Sequence, residues 1–217
     1  MQPVQVIKRT DTNYPTGLER YLKTETPETI WARGNLNLLP GQNTALNGDL
    51  WALFCSSKCP GEIILKAHDL AQEFRKAGIP TIGGYHSPVE QECLRVLLRG
   101  SQPILVCPAR SIERMRPKPA WKDALSQDRF LILSIFENQE RTTATLASRR
   151  NAFVAALADK ICIAHAAADS KILEFAQMIG SWGKFVFTFD TPANDALFQL
   201  GARRIEPSLS VKQGPIA

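Results

Sequence analysis

From residue 49 onward, short uninterrupted apolar runs alternate with stretches whose apolar residues recur every three or four positions. The first run, Leu50-Trp51-Ala52-Leu53-Phe54-Cys55, is too short for a helix and suits a strand buried on both faces. After Pro60-Gly61, the residues Ile63, Ala67, Leu70, Ala71 and Phe74 share one helical face, and Gly78 supplies the stop. The same beat predicts further strands at 80–82, 103–107, 130–133, 160–164 and 184–187, with an edge strand near 203–205. Helices are predicted at 87–98, 119–126, 144–158, 170–180 and 192–200.

Strand and helix alternating in this way imply right-handed βαβ crossovers and a mostly parallel sheet with helices on both faces. About six such units fall short of the eight that a (β/α) barrel needs. The predicted fold is therefore a Rossmann-like, doubly wound α/β domain over residues 49–206. Residues 1–48 carry prolines and polar residues, with no clean periodicity beyond Tyr21–Leu22 and Ile30–Trp31. They are expected to form a short N-terminal extension packed on the sheet, with Gln42 to Asn47 as a linker-like loop. Residues 207–217 are expected to be a flexible tail.

Composition bounds the rest. Of 217 residues, 44% are hydrophobic and 22% charged, as in an ordinary globular protein. No run approaches the roughly 20 apolar residues of a membrane span, and the N-terminus lacks a signal-peptide pattern, so a cytoplasmic protein without membrane attachment is expected. Lys+Arg 26 against Asp+Glu 21 permits a polyanionic partner without demanding one. The five cysteines are odd in number, and Cys55, Cys107 and Cys162 lie in apolar runs, as reduced, buried thiols do. Cys55 and Cys59 do not make a CxxC motif and have no second pair downstream; no metal site built with His86 or Cys93 is expected.

Ligands of an open parallel sheet bind beyond the carboxyl ends of its strands. That rule selects Ser56-Ser57-Lys58-Cys59-Pro60-Gly61, Gly83-Gly84-Tyr85-His86-Ser87, Pro108-Ala109-Arg110-Ser111, and His165 followed by Asp169-Ser170-Lys171. Hydroxyls, lysines and helix N-termini make an oxyanion cradle, and the glycine pair lets backbone amides approach a phosphate. The same residue types also cap helices and form tight turns. Neither GxGxxG nor GxxxxGK[ST] occurs, which argues against a dinucleotide cofactor or a P-loop; no cofactor is expected.

Basic residues cluster in sequence: Arg95, Arg99, Arg110, Arg114, Arg116, Lys118 and Lys122 against Glu113 and Asp123, then Arg141, Arg149 and Arg150. They suit phosphate contacts, and Tyr85 and Trp121 would offer stacking surfaces for unpaired bases; the alternative is a solvated basic surface. His86 and His165 at strand ends would face one cleft, with Glu90 one turn from His86 as a general-base partner. No nucleophile accompanies them, so catalysis is not expected.

Several of these segments follow one another as in a known family. Tyr14-Pro15 with Leu18, then Pro27, Trp31 and Arg33-Gly34-Asn35, are similar to a lead-in of Tyr-Pro, a Pro-Leu step and a closing Gly-Asn. Trp51 to Gly61 takes the place of a strand and Gly-Ser-Arg turn, and Gly83 to Glu90 that of Ser-Gly-x-Ala-x-Gly-Ile-Asp. Arg150-Asn151, followed by the Ala-rich helix to Ala158-Asp159, resembles Arg-Asn-Arg; Asn194, Leu197 and Gly201-Ala202 resemble Asn-x-Leu-Ile-x-x-Gly-Ala. Over roughly residues 14–205 the chain resembles the DprA/Smf DNA-processing family. It departs in having Cys55-Ser56-Ser57 for Gly-Ser-Arg, Leu94 for an expected histidine, Ala152 for the second arginine, His165 for an acid, and only Ser170-Lys171 for Ser-Gly-Ser. The family's C-terminal winged-helix-like domain is not found in this sequence.

The resemblance implies binding of single-stranded DNA, its delivery to a RecA-type recombinase during natural transformation, and a homodimer. On it, Ser56, Lys58, Gly83, Gly84, Arg150, Asn151 and Ser170 are carried over as site residues. The reading is thus a non-catalytic DNA-binding protein whose ligand lies over the strand ends. Candidate contacts are Ser56, Ser57, Lys58, Gly83, Gly84, His86, Ser87, Arg110, Arg149, Arg150, Asn151, Ser170 and Lys171. The alternatives are a small-molecule nucleotide binder or hydrolase using His86, Glu90 and His165, and a scaffold acting only through protein partners.

Overall fold

Nine strands form one sheet among the described residues: β1 (Gln5–Lys8), β2 (Thr29–Gly34), β3 (Trp51–Phe54), β4 (Thr81–Gly83), β5 (Ile104–Val106), β6 (Phe130–Ser134), β7 (Lys160–Ile163), β8 (Val186–Thr188) and β9 (Arg203–Arg204). Their order is β1-β2-β6-β5-β4-β3-β7-β8-β9. The computed structural model describes residues 2–41, 44–168 and 170–205. Gln42 and Asn43 of the expected linker, Asp169 and the expected tail lie outside the described residues.

Strands β3 to β9 are mutually parallel. Because side chains alternate along a strand, the apolar run of β3 serves both faces. Trp51 and Leu53 join Ile63, Phe74, Leu97 and Phe130 under helices α2 (Gly61–Ala77), α3 (Pro88–Leu97) and α4 (Lys122–Ser126). Ala52 and Phe54 join Leu18, Phe153, Ile179 and Leu197 under α1 (Gly17–Leu22), α5 (Ala144–Leu157), α6 (Lys171–Ser181) and α7 (Asp195–Gln199). The fold is the expected Rossmann-like, doubly wound α/β architecture. No helix among the described residues is long and apolar enough to cross a membrane.

Successive strands are added on one side of β3 as β4, β5 and β6, and on the other as β7, β8 and β9. The direction of winding therefore reverses between β3 and β7. Their carboxyl ends diverge into two loops with a crevice between them, the position that an open α/β sheet reserves for ligands.

Residues 1–48 supply two strands that the sequence reading does not place. β2 runs antiparallel to β6, and β1 antiparallel to β2. The strand character of β2 is masked by Arg33, a charge in a buried strand. Its Nη1 donates to the Met115 carbonyl at 2.5 Å, and its Nη2 to those of Ile112 at 3.0 Å and Glu113 at 3.1 Å. Next to it, Gly34 has φ +120°, and a Cβ there would stand 2.2 Å from the Phe130 carbonyl oxygen, so only glycine closes this strand.

The strand expected at 184–187 begins two residues later. Lys184 turns aside to donate to the carbonyls of Ala155 (2.8 Å), Ala156 (3.0 Å) and Ala158 (2.7 Å), closing the C-terminus of α5. Burial there pushes its amine down to about 8. The segments expected as helices at 119–126 and 192–200 open as 3-10 turns, Pro119–Trp121 and Pro192–Asn194, before becoming α4 and α7.

Candidate functional site

The loops after β3 and β7 are braced against each other. The Ser56 amide donates to the His165 carbonyl at 3.0 Å, and the buried Ser56 hydroxyl accepts from the Ala167 amide at 3.2 Å. Ser57 and Lys58 follow and are exposed. Helix α2 starts behind Pro60 with no side-chain cap, so its first amides are unpaired by any cap. Across the crevice Ser170 caps α6, accepting from the Leu173 amide at 3.3 Å, and leaves Lys171 exposed at the first position. Ser87 caps α3 in the same manner, accepting from the Glu90 amide at 3.3 Å.

Beneath these loops lie two buried charged groups. Glu90 accepts from the Cys55 amide at 3.0 Å and from the His86 amide at 2.8 Å, so one carboxylate ties the ends of β3 and β4. Arg150 donates through Nη1 to the Cys107 carbonyl at 3.0 Å and through Nε to Asn151 at 2.8 Å. Its guanidinium lies over Gly84, where a Cβ would fall 1.6 Å from Nη1. Burial pushes the Glu90 carboxyl up, against the His86 amide, the Arg150 charge and the Cys55 amide, which favour its ionised form. Burial likewise pulls the Arg150 guanidinium down, against the Glu90 charge.

The sign of the Glu90 effect follows from linkage. Above the ordinary value of 4.5 and below the raised one, the native state keeps a proton that the unfolded chain has lost, so stability falls as pH rises through that window. Glu90→Gln cannot ionise and is expected to lack this decline. Urea unfolding of both proteins between about pH 4 and 7 checks it, and parallel pH profiles would refute it.

The crevice forms a cleft of about 330 Å³, and the structure brings to it Ser56, Ser57, Lys58, His86, Ser87, Arg150, Asn151, Ser170 and Lys171 of the residues selected from sequence. Lys58 and Lys171 are its exposed cations, and Glu90 is its one acid among the described residues. The glycine pair does not open onto it: Gly83 is buried within β4, and Gly84 is covered by Arg150. Arg110 lines a separate depression of about 470 Å³, with Arg114 and Arg116 balanced by Glu113, Glu137 and Glu140. Arg149 stands on the outer side of α5, near Glu25 at 3.9 Å and over the Phe136 ring at 5.8 Å.

Three expectations are corrected. Tyr85 and Trp121 are buried and present no stacking surface: the Tyr85 hydroxyl donates to Thr81 at 3.0 Å, and Trp121 packs on Phe130 at 5.3 Å. His86 and His165 do not face one cleft, because the buried His165 ring points the other way, its Nδ1 3.0 Å from Asn194 Oδ1. The basic stretch from Arg95 to Lys122 does not reach this cleft either, since Arg110, Arg114 and Arg116 line the separate depression and Arg95 pairs with Glu92 on α3.

Asn194 is a positioning residue beneath the loop after β7. Fully buried, its Nδ2 lies 3.0 Å from the Ala164 carbonyl, 3.2 Å from that of Phe189 and 2.8 Å from Thr188 Oγ1. It thereby fixes the loop after β7. In the sequence it is marked by its turn-forming residue type and by its place in the segment that resembles Asn-x-Leu-Ile-x-x-Gly-Ala.

Two solved structures share this architecture. DNA processing protein A (DprA) from Streptococcus pneumoniae superposes with a TM-score of 0.74 at 18% identity, covering 93% of this chain and 70% of that one. DNA processing protein A from Helicobacter pylori, whose structure is described as giving insight into a single-stranded DNA binding mode, superposes with a TM-score of 0.73 at 19% identity, covering 94% and 93%. At such identities the likeness shows the fold. No curated protein matches the chain by sequence. The sequence profile of DNA recombination-mediator protein A matches residues 5–208, nearly the whole chain. This span, carrying the reversal of strand order and the braced loops above it, belongs to the DprA family of DNA-processing proteins.

Proposed function

We propose that the chain binds single-stranded DNA at the β3/β7 crevice and acts by binding rather than by catalysis. One observation carries this reading: Ser57, Lys58 and Lys171 converge, exposed, on one cleft, with Lys171 at the N-terminus of α6, whose helix dipole favours an anion. A backbone phosphate fits that chemistry, and the Helicobacter pylori relative supports a single strand as its source. The non-catalytic part is supported by Glu90, whose two oxygens are both committed to backbone amides, and by His165, held by Asn194. Following the family, the DNA would pass to a RecA-type recombinase, and the protein would act as a homodimer.

Lys58→Glu and Lys171→Glu are each expected to weaken binding of a labelled oligothymidylate about tenfold and to lower the salt slope by about one. Fluorescence anisotropy at several salt concentrations measures both. Wild-type affinity that ignores salt, or survives both reversals, would overturn the reading. The cleft volume of about 330 Å³ also suits a nucleotide. A nucleotide that displaces the oligothymidylate and raises Tm on its own would favour that second ligand. Binding of neither would leave a scaffold role.

A further inference from the structure

A single strand presents bases as well as phosphates, and Ser57, Lys58 and Lys171 answer only to the phosphates. No Phe, Tyr or Trp lines the cleft among the described residues; its one ring is the imidazole of His86. That side chain is exposed and makes no hydrogen bond or ion pair among the described residues, whereas its backbone is held on both sides. The His86 amide donates to Glu90 at 2.8 Å, and its carbonyl accepts from Gln91 Nε2 at 2.8 Å. Before it, Tyr85 is buried at φ +46° with its hydroxyl on Thr81; after it, Ser87 caps α3. The free ring therefore rides on a fixed turn. Glu90 also sets where that turn lies, because its other oxygen accepts from the Cys55 amide, which places His86 against the start of the Ser57–Lys58 loop. In the segment that resembles Ser-Gly-x-Ala-x-Gly-Ile-Asp, His86 falls on the alanine.

We infer that His86 is the residue of this cleft that selects a single strand over a duplex: its imidazole receives the face of one unpaired base while the lysines hold phosphates beside it. This rests on reading the cleft as a site for single-stranded DNA. Every base has a π-face, so a ring on a fixed turn meets any unpaired base without reading its edge. A duplex keeps those faces stacked on one another and must be unstacked before it can make the same contact. Lys58 and Lys171 attract both forms, since both carry phosphates. The discrimination then falls to the ring, and an alanine in its place offers no face to a base. Glu90, the acid of the cleft, is committed to two amides and leaves the imidazole free to turn towards its guest.

Fluorescence anisotropy of wild type, His86→Ala and His86→Phe tests this on three labelled ligands of one length: an oligothymidylate, an abasic phosphodiester chain and a duplex. His86→Ala is expected to bind the oligothymidylate about tenfold more weakly, as the loss of one stacked base does, and to stay within about twofold of wild type on the other two. His86→Phe, which keeps a ring and cannot carry charge, is expected to retain wild-type affinity for the oligothymidylate. The ring makes no hydrogen bond and any residue keeps the amide bond to Glu90, so both variants are expected to melt within about 2 °C of wild type. An equal loss on the abasic chain would show that the ring meets a phosphate, and it overturns the inference. So does an alanine variant that binds all three ligands as wild type does, or a phenylalanine variant as weak as the alanine one. Wild type that binds the oligothymidylate in a salt-dependent way while His86→Ala is unaffected removes only the role of His86. Wild type that binds neither single-stranded ligand removes the DNA reading of the cleft itself.

Discussion

Gly84→Ala is expected to destabilise the protein by about 3 kcal/mol and to lower Tm by about 10 °C, far more than one methyl group usually costs at the edge of a strand. The added carbon would fall 1.6 Å from Nη1 and 1.9 Å from Cζ of Arg150. The guanidinium must then leave the Cys107 carbonyl, and overpacking adds to the loss of a buried, charged hydrogen bond. A double-mutant cycle isolates the cause. With Arg150→Ala already in place, Gly84→Ala is expected to fall within about 0.5 kcal/mol of neutral. If the two losses simply add, the glycine accommodates something other than the arginine.

The second large effect is expected at Glu90→Ala. Truncation leaves the buried amide of Cys55 and the half-buried amide of His86 without their partner, at about 1–3 kcal/mol for the first and less for the second, so a total of about 2–4 kcal/mol is expected. The loss is local as well as global, because the carboxylate is what ties the ends of β3 and β4. Hydrogen exchange reads this directly. The Cys55 and His86 amides should exchange faster in the variant even where the rest of the sheet stays protected. Unchanged protection at both would show that some other group holds them.

The parallel half of the fold was legible because strands buried on both faces must be apolar throughout, as Leu50 to Cys55 and Phe130 to Leu133 are, and because helices such as α2 carry a single apolar face. What escaped were elements whose local sequence contradicts their setting. Arg33 sits in β2 because carbonyls some 80 residues away receive its hydrogen bonds, and no window of sequence contains both ends of that contact. Lys184 and Phe185 continue an apolar-looking run, yet Lys184 is drawn off to α5 and Phe185 is exposed.

At the site, the loops were found by topology alone, since strand ends follow from strand positions. Which side chains face the ligand and which face inward was not readable. Ser56, Ser87 and Ser170 look alike in sequence, but one braces two loops and the other two cap helices. The run of arginines was also misleading as a single surface. Closeness along the chain sends residues on a helix, a loop and a strand end in different directions, and glutamates from other segments meet several of them.

The bracing of Ser56 against His165 and Ala167 has a further consequence for how the protein can change. The crevice keeps its shape through Ser56, Glu90, Arg150 and Asn194, all turned inward. Ser57, Lys58 and Lys171 make no side-chain hydrogen bond or ion pair among the described residues, and so carry none of that work. Substitutions at those three positions can retune affinity for a guest while the frame stays as it is. Lineages that differ there should thus diverge in what they hold sooner than in how they fold.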